Sequence, residues 1–435
     1  MSDDQLFSEK TISEKQYVLG RKEKTTKGVL NIGRYYALDG SLGANVYIDV
    51  LRPHVILICG KRGYGKSYTI GVFLEELERL DTEVKENLGI VVFDTLGIFW
   101  SSRYKNREEL EQLKKWNIQP SAIDIRLLVP IKFLEHYEKQ NIEATGFSIP
   151  VVDLSPYHWC QLFNIKPTDP LGIVVTRAIL QLQNRQTPFS IPDIIQFIQR
   201  DDKSEASMKI AAENFFTMAD GWGIFAKQGT PISEIVQRGM LSIIDFSHLP
   251  NQQLKSITAA LIGEQIFEAR VRERKIHEQK KIGFDVEEKG MPMVLLAIDE
   301  AQLFIPSDEN LLSKEIFINE WMRQGRQPGL SLIMATQRPS ALAPEVLSHS
   351  DIILCHRLTA QEDIDALSRI RPTYMAGDIK ESIKKIGDEK GVALIIDDTS
   401  ESSHILKIRP RISWHGGSES RVVESNLKKD PVEKL

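Results

Sequence analysis

Residues 55–76, VILICGKRGYGKSYTIGVFLEE, constrain this chain more than any other stretch. The run 55–59 is apolar without interruption, the pattern of a strand buried on both faces. After Ser67, apolar side chains recur at Ile70, Phe73, Leu74 and Leu77, which is helical spacing. Between strand and helix, residues 60–67 match G-x-x-x-x-G-K-[ST], the P-loop pattern. Its glycines let successive backbone N–H groups point inward at phosphate oxygens, and the following helix adds its N-terminal dipole. The candidate nucleotide-binding set is Gly60, Arg62, Gly63, Tyr64, Gly65, Lys66, Ser67 and Tyr68. Lys66 is placed to reach the β- and γ-phosphates and Ser67 to hold Mg²⁺.

A P-loop alone implies a bound triphosphate. Hydrolysis needs a second, acidic strand end that completes the Mg²⁺ shell. The stretch 293–300, MVLLAIDE, supplies one: Asp299 is the candidate metal-binding carboxylate and Glu300 the candidate general base for the attacking water. Gln337 ends the strand-like run LSLIMAT and can hydrogen-bond the γ-phosphate or the water. Arg323 and Arg326, in WMRQGRQPG, precede that run and are candidates for charge stabilisation at a neighbouring subunit's site. The Asn/Thr-Lys-x-Asp pattern of guanine-specific proteins is missing, so ATP is the expected nucleotide. Asp94, at the end of GIVVFD, either approaches the nucleotide or serves as a loop or cap carboxylate.

Apolar runs alternating with helical patterns predict an α/β fold. Residues 29–51 alternate weakly around Asp39-Gly40 and suggest one or two hairpins. From 101 to 237 helical signals dominate after one strand-like run near 125–130, with DLSP at 153–156 as a helix start. The expected division is a polar lead-in and small β segment over 1–51, a core over 52–100 and 238–415, a mainly helical insertion over 101–237 and a polar tail over 416–435. The charge run RVRERKIHEQKK, 270–281, reads as a solvated helix face, with contact to a phosphate backbone as the alternative.

The 435 residues carry a net charge of −5, which excludes a histone-like polycation but leaves room for local positive charge. Three well-separated cysteines argue against disulfides and zinc and for a reducing compartment. The acidic start MSDDQLFSEK lacks a basic n-region, and no apolar run reaches 18 residues, so a cytoplasmic protein without a membrane span is expected.

Taken together, HVILICGKRGYGKS, VVFD, VLLAIDEAQLF and RQGRQPGLSLIMATQRPSALAPEVLSHSDIILCHRLT resemble the HerA-FtsK class of RecA-like ATPases, and most of all its HerA-type DNA helicase/translocase family. His54 and the closing RPRISWHGG look like that family too. The resemblance covers roughly residues 29–415 and implies a RecA-like core with a small N-terminal β segment, a reduced β-barrel. It further implies a homo-hexameric ring that hydrolyses ATP between subunits and moves double-stranded DNA through its centre. A NurA-like nuclease or an antiphage effector is the implied partner. Under the resemblance Lys66 and Ser67 are Walker A residues, Asp299 and Glu300 Walker B residues, Gln337 the polar sensor, and Arg323 and Arg326 the trans-acting arginines. The alternative is an ATP-dependent ring that organises a partner without moving along DNA.

Overall fold

The computed structural model describes residues 18–23, 25, 27–37, 39–286, 290–369 and 379–417. Most of the polar lead-in and nearly all of the polar tail expected from the sequence lie outside the described residues.

The apolar runs pair into one large mixed sheet. Its parallel part runs, side by side, Ile352–His356, Val55–Cys59, Leu330–Thr336, Met293–Ile298, Leu88–Asp94, Leu241–Asp245, Arg126–Pro130 and Thr145–Phe147. Strands enclosed on both faces need no polar side, which is why these runs do not alternate. Beyond Ile352–His356 the sheet turns antiparallel through Val392–Asp397, Ser402–Ile408, Val29–Tyr36 and Leu42–Asp49. The N-terminal hairpin is thus hydrogen-bonded into the same sheet as the P-loop strand.

Alternate strand residues feed two cores. Leu57, Val91, Phe93, Leu296 and Met334 face the helices of residues 156–221 and the buried half of the helix Gln252–Lys281. Ile56, Ile58, Val92, Leu295 and Ile333 face the P-loop helix Lys66–Glu78 and the N-terminal hairpin. Within 101–237 the chain forms the helices Pro156–Leu162, Pro170–Gln183, Ile191–Arg200 and Ala206–Gly221, and it adds two parallel strands to the sheet edge. Ser155 caps the first of these helices by accepting from the His158 N–H. Trp159, Phe163, Phe215 and Phe216 pack ring against ring beneath it.

Two buried charge clusters fasten the P-loop unit. At the amino end of Val55–Cys59, His54 donates to Asp351 at 2.6 Å and faces Asp49 at 3.2 Å, and Asp49 also pairs with Arg21 at 2.9 Å. Burial pulls the imidazole down, but the two carboxylates outweigh it and hold it at about 9. On the P-loop helix, buried Glu75 accepts from Arg409 at 2.8 Å, from Arg411 at 3.1 Å and from the Ser413 N–H at 3.0 Å. Burial alone would raise the Glu75 carboxyl; the two guanidiniums hold it below its ordinary value. Among the described residues, no helix is long and apolar enough to cross a membrane.

Candidate nucleotide site and family membership

The strand order puts the carboxyl end of Val55–Cys59 beside Thr336 and close to the end of Met293–Ile298. In open parallel sheets that edge is where ligands bind. Gly60 leaves its strand at φ 157°, and a Cβ there would lie 2.6 Å from the His356 Cβ, so only glycine clears the neighbouring strand. Gly65, at φ 108°, opens the helix Lys66–Glu78.

Beneath the loop lies His356, which sequence reasoning missed. Its Nδ1 faces the Val392 carbonyl at 3.2 Å, and its Nε2 faces the Thr69 hydroxyl at 2.9 Å, which itself donates to the Gly65 carbonyl at 2.8 Å. Complete burial pushes its pKa down to about 4, so the loop rests on a neutral ring. Lys66 is buried and reaches back to the Lys61 carbonyl at 3.2 Å. Burial lowers its pKa against the pull of Glu300 and Asp299.

Ser67 donates to Asp299 across the strand ends at 2.8 Å. Asp299 is fully buried; burial and the adjacent Glu300 charge raise it to about 6, against the Ser67 hydrogen bond and the Lys66 charge. A hydroxyl and a carboxylate in contact are the hard-oxygen donors that Mg²⁺ takes. Among the described residues no three His, Cys, Asp or Glu side chains group to form a metal cage, so an ion here would draw its other ligands from phosphate and water.

Glu300 sits at φ 52° in the left-handed region, a strained conformation for a residue with a side chain. The Gln337 amide donates to one of its carboxylate oxygens and Gln302 to the other, the latter at 2.6 Å. Gln302 in turn accepts from Thr336 at 2.8 Å. Sequence reading passed over Gln302, whose only signal was its place two residues after the acid pair.

The structure therefore brings Lys66, Ser67, Asp299, Glu300 and Gln337 to one edge. It treats the remaining candidates differently. Tyr64 lies under the Arg357 guanidinium, 5.6 Å from its ring centroid, while Arg62 is exposed on the loop. The Tyr68 side chain is turned away from the phosphate cradle: its hydroxyl donates to Glu109 and accepts from the Arg411 N–H, each at 2.6 Å. Helical rotation past Ser67 points the ring at the C-terminal segment, which leaves the Tyr68 backbone N–H as its means of meeting a phosphate. Asp94 accepts from the N–H groups of Gly97 and Phe99, both at 2.8 Å, and acts as a loop carboxylate. Burial, with the Asp245 charge beside it, pushes Asp94 up to about 8.

Arg323 and Arg326 lie elsewhere. A π-helical turn, Phe317–Met322, leads into them, and both are exposed before the strand Leu330–Thr336. That strand of seven residues spans about 20 Å, so neither arginine reaches the phosphate loop of its own chain.

The chain is similar to several known proteins. The family model "Helicase HerA, central domain" matches residues 30–265, more than half of the chain. The "Probable DNA double-strand break repair helicase HerA" of Methanocaldococcus jannaschii is 23% identical over 91% of this chain and 79% of its own length. The "DNA double-strand break repair helicase HerA" of Sulfurisphaera tokodaii is 21% identical over 92% of this chain and 73% of its own. The structure of VirB4 from Thermoanaerobacter pseudethanolicus superimposes with a TM-score of 0.52 at 15% identity, covering 88% of this chain and 97% of that one, and so shares the fold. A phosphate loop closed by an acidic strand end, on a parallel sheet matched through its first half by that model, makes this chain a member of the HerA helicase central-domain family.

Proposed function

We propose that this chain hydrolyses ATP to drive movement along double-stranded DNA, working as a hexameric ring with a nuclease or effector partner. The observation that carries the hydrolytic half is the Ser67–Asp299 contact beside a Glu300 whose carboxylate is aimed by two amides. The DNA half rests on family membership and on the DNA-repair relatives.

In this reading the N–H groups of residues 60–67 cradle the phosphates, and Lys66 contacts the β- and γ-phosphate oxygens. Ser67 and Asp299 would hold Mg²⁺, which neutralises phosphate charge. Glu300 takes the proton from the attacking water, and Gln337 and Gln302 fix the carboxylate for that transfer. Arg323 and Arg326 serve the site of an adjacent copy, because their own lies across the sheet. The division into a core over 52–100 and 238–415 with an insertion over 101–237 belongs to the same proposal.

The test is ATP turnover with and without blunt double-stranded DNA over a salt series. Stimulation by DNA that fades as salt rises is expected. Turnover indifferent to DNA at every salt concentration would overturn movement along DNA and favour a ring that only organises a partner.

A further inference from the structure

Tyr64 puts an aromatic ring into the phosphate loop, and the hydrolytic chemistry above does not use it. The ring is half-buried, and the Arg357 guanidinium lies over it, 5.6 Å from its centroid, within cation–π distance. Arg357 is the first residue after the strand Ile352–His356, a neighbour of the P-loop strand. Its backbone is tied to the loop as well. The Lys61 N–H donates to the Arg357 carbonyl at 2.8 Å, and the Tyr64 N–H turns back to the Lys61 carbonyl at 3.3 Å.

The guanidinium is held by its edge. It pairs with Asp388 and donates to the Gly387 carbonyl at 3.4 Å. Both belong to the turn before Val392–Asp397, which also borders the loop: a Cβ on Gly65 would come within 4.0 Å of the Gly391 Cα. A planar cation whose edge is committed in this way still has its faces, and those faces stack. One covers Tyr64, and the Arg357 side chain keeps 28% of its surface exposed, so a flat partner has access to the pair.

Strand order decides which part of a nucleotide passes here. Glu300 and Gln337 mark the phosphate that is cleaved, and they follow Met293–Ile298 and Leu330–Thr336, both on one side of Val55–Cys59. Ile352–His356 is the neighbour on the other side. A nucleotide whose terminal phosphate lies with Glu300 runs its nucleoside end towards Arg357.

We propose that Tyr64 and Arg357 form the platform on which the base of the nucleotide stacks. Arg357 offers the plane, Tyr64 backs it, and Asp388 keeps it from turning. A purine is preferred, because two fused rings bury more area on such a plane than one. The proposal rests on the reading that residues 60–67 hold a nucleoside triphosphate.

The test compares ATP with inorganic tripolyphosphate, which has the phosphates and lacks the base. Both are titrated calorimetrically into the full chain carrying Glu300→Gln, which holds turnover off while nucleotide binds. ATP is expected to bind more tightly than tripolyphosphate. Adding Arg357→Ala or Tyr64→Ala should weaken ATP about tenfold and leave tripolyphosphate unchanged. Arg357→Lys keeps the cation and loses the plane, so it should weaken ATP nearly as far; it also serves if the alanine variants do not fold. UTP, with the smaller ring, should bind more weakly than ATP and lose less on Arg357→Ala; equal affinities would overturn the purine preference. ATP affinity indifferent to both alanine substitutions overturns the platform, as does full ATP affinity in Arg357→Lys. Equal losses of ATP and tripolyphosphate overturn it too, since the pair would then only support the loop. A chain that binds neither ligand refutes the nucleotide reading itself, a result distinct from all of these. The titrations need neither DNA nor a ring.

Discussion

The two ends of one sheet carry opposite chemistry. At the carboxyl ends Asp94, Asp245, Asp299 and Glu300 are all buried, with Lys66 among them. At the amino ends arginines from three segments line a recess that has Glu273 in its wall. The difference concerns assembly. Two copies meeting at like ends would set acid against acid or arginine against arginine. Acid end against basic end is a head-to-tail contact, the kind that closes into rings.

The comparison can be broken at either end, and the largest effect is expected at the acid one. Glu300→Gln should lower turnover about 10³-fold, within the 10²–10⁴ range of a lost general base, while nucleotide binding persists. Steady-state hydrolysis near the wild-type rate would leave the acid end without its base. Between the two ends, Glu75→Gln leaves Arg409 and Arg411 buried without their anion and should cost about 3–5 kcal/mol in denaturant unfolding. A shift under about 1 kcal/mol would show that this cluster does not fasten the P-loop helix. Near the basic end, His54 is raised from 6.5 to about 9. Its stabilisation is therefore fully present below pH 6.5 and is lost as pH rises through 9, on the order of 3 kcal/mol. Thermal unfolding of the wild-type chain should lose stability across that window more steeply than a His54→Gln variant; parallel curves would refute the charged histidine. The smallest effect belongs to Gln302→Ala, which frees one Glu300 oxygen and should slow turnover about tenfold with little change in KM. A raised KM at constant kcat would mean that Gln302 binds substrate instead of aiming the base.

How much of this was legible in the sequence follows from how far apart the cooperating residues are. The phosphate loop is local: eight consecutive residues carry its turn, its lysine and its hydroxyl. Asp299 and Glu300 were legible because a buried apolar run that ends in two carboxylates has few other readings. The α/β fold and the family resemblance came from the same runs. Pairings set by strand order were not. Nothing in GIVVFD says that Asp94 will stand opposite Asp245, as the register places it. His356 reads as the end of one more apolar run until the sheet slides it under Gly60. The charge run at 270–281, read as a solvated helix face, is exposed or half-exposed along its length, and its neighbours Arg238 and Arg326 come from turns outside the helix. The direction of the Tyr68 side chain was not legible either: position within a motif does not decide where a helical side chain points.

The P-loop strand also has a history. Val55–Cys59 lies between Leu330–Thr336 and Ile352–His356, and the helix after it is fastened by Arg409 and Arg411. During synthesis the ribosome delivers the strand first and its neighbours hundreds of residues later. At about 5–20 residues per second that interval lasts on the order of tens of seconds. Until then the apolar strand has no ladder on either side and its Glu75 no counter-charge. A nascent chain therefore carries the nucleotide motif before the strands and arginines that hold it in place have been made.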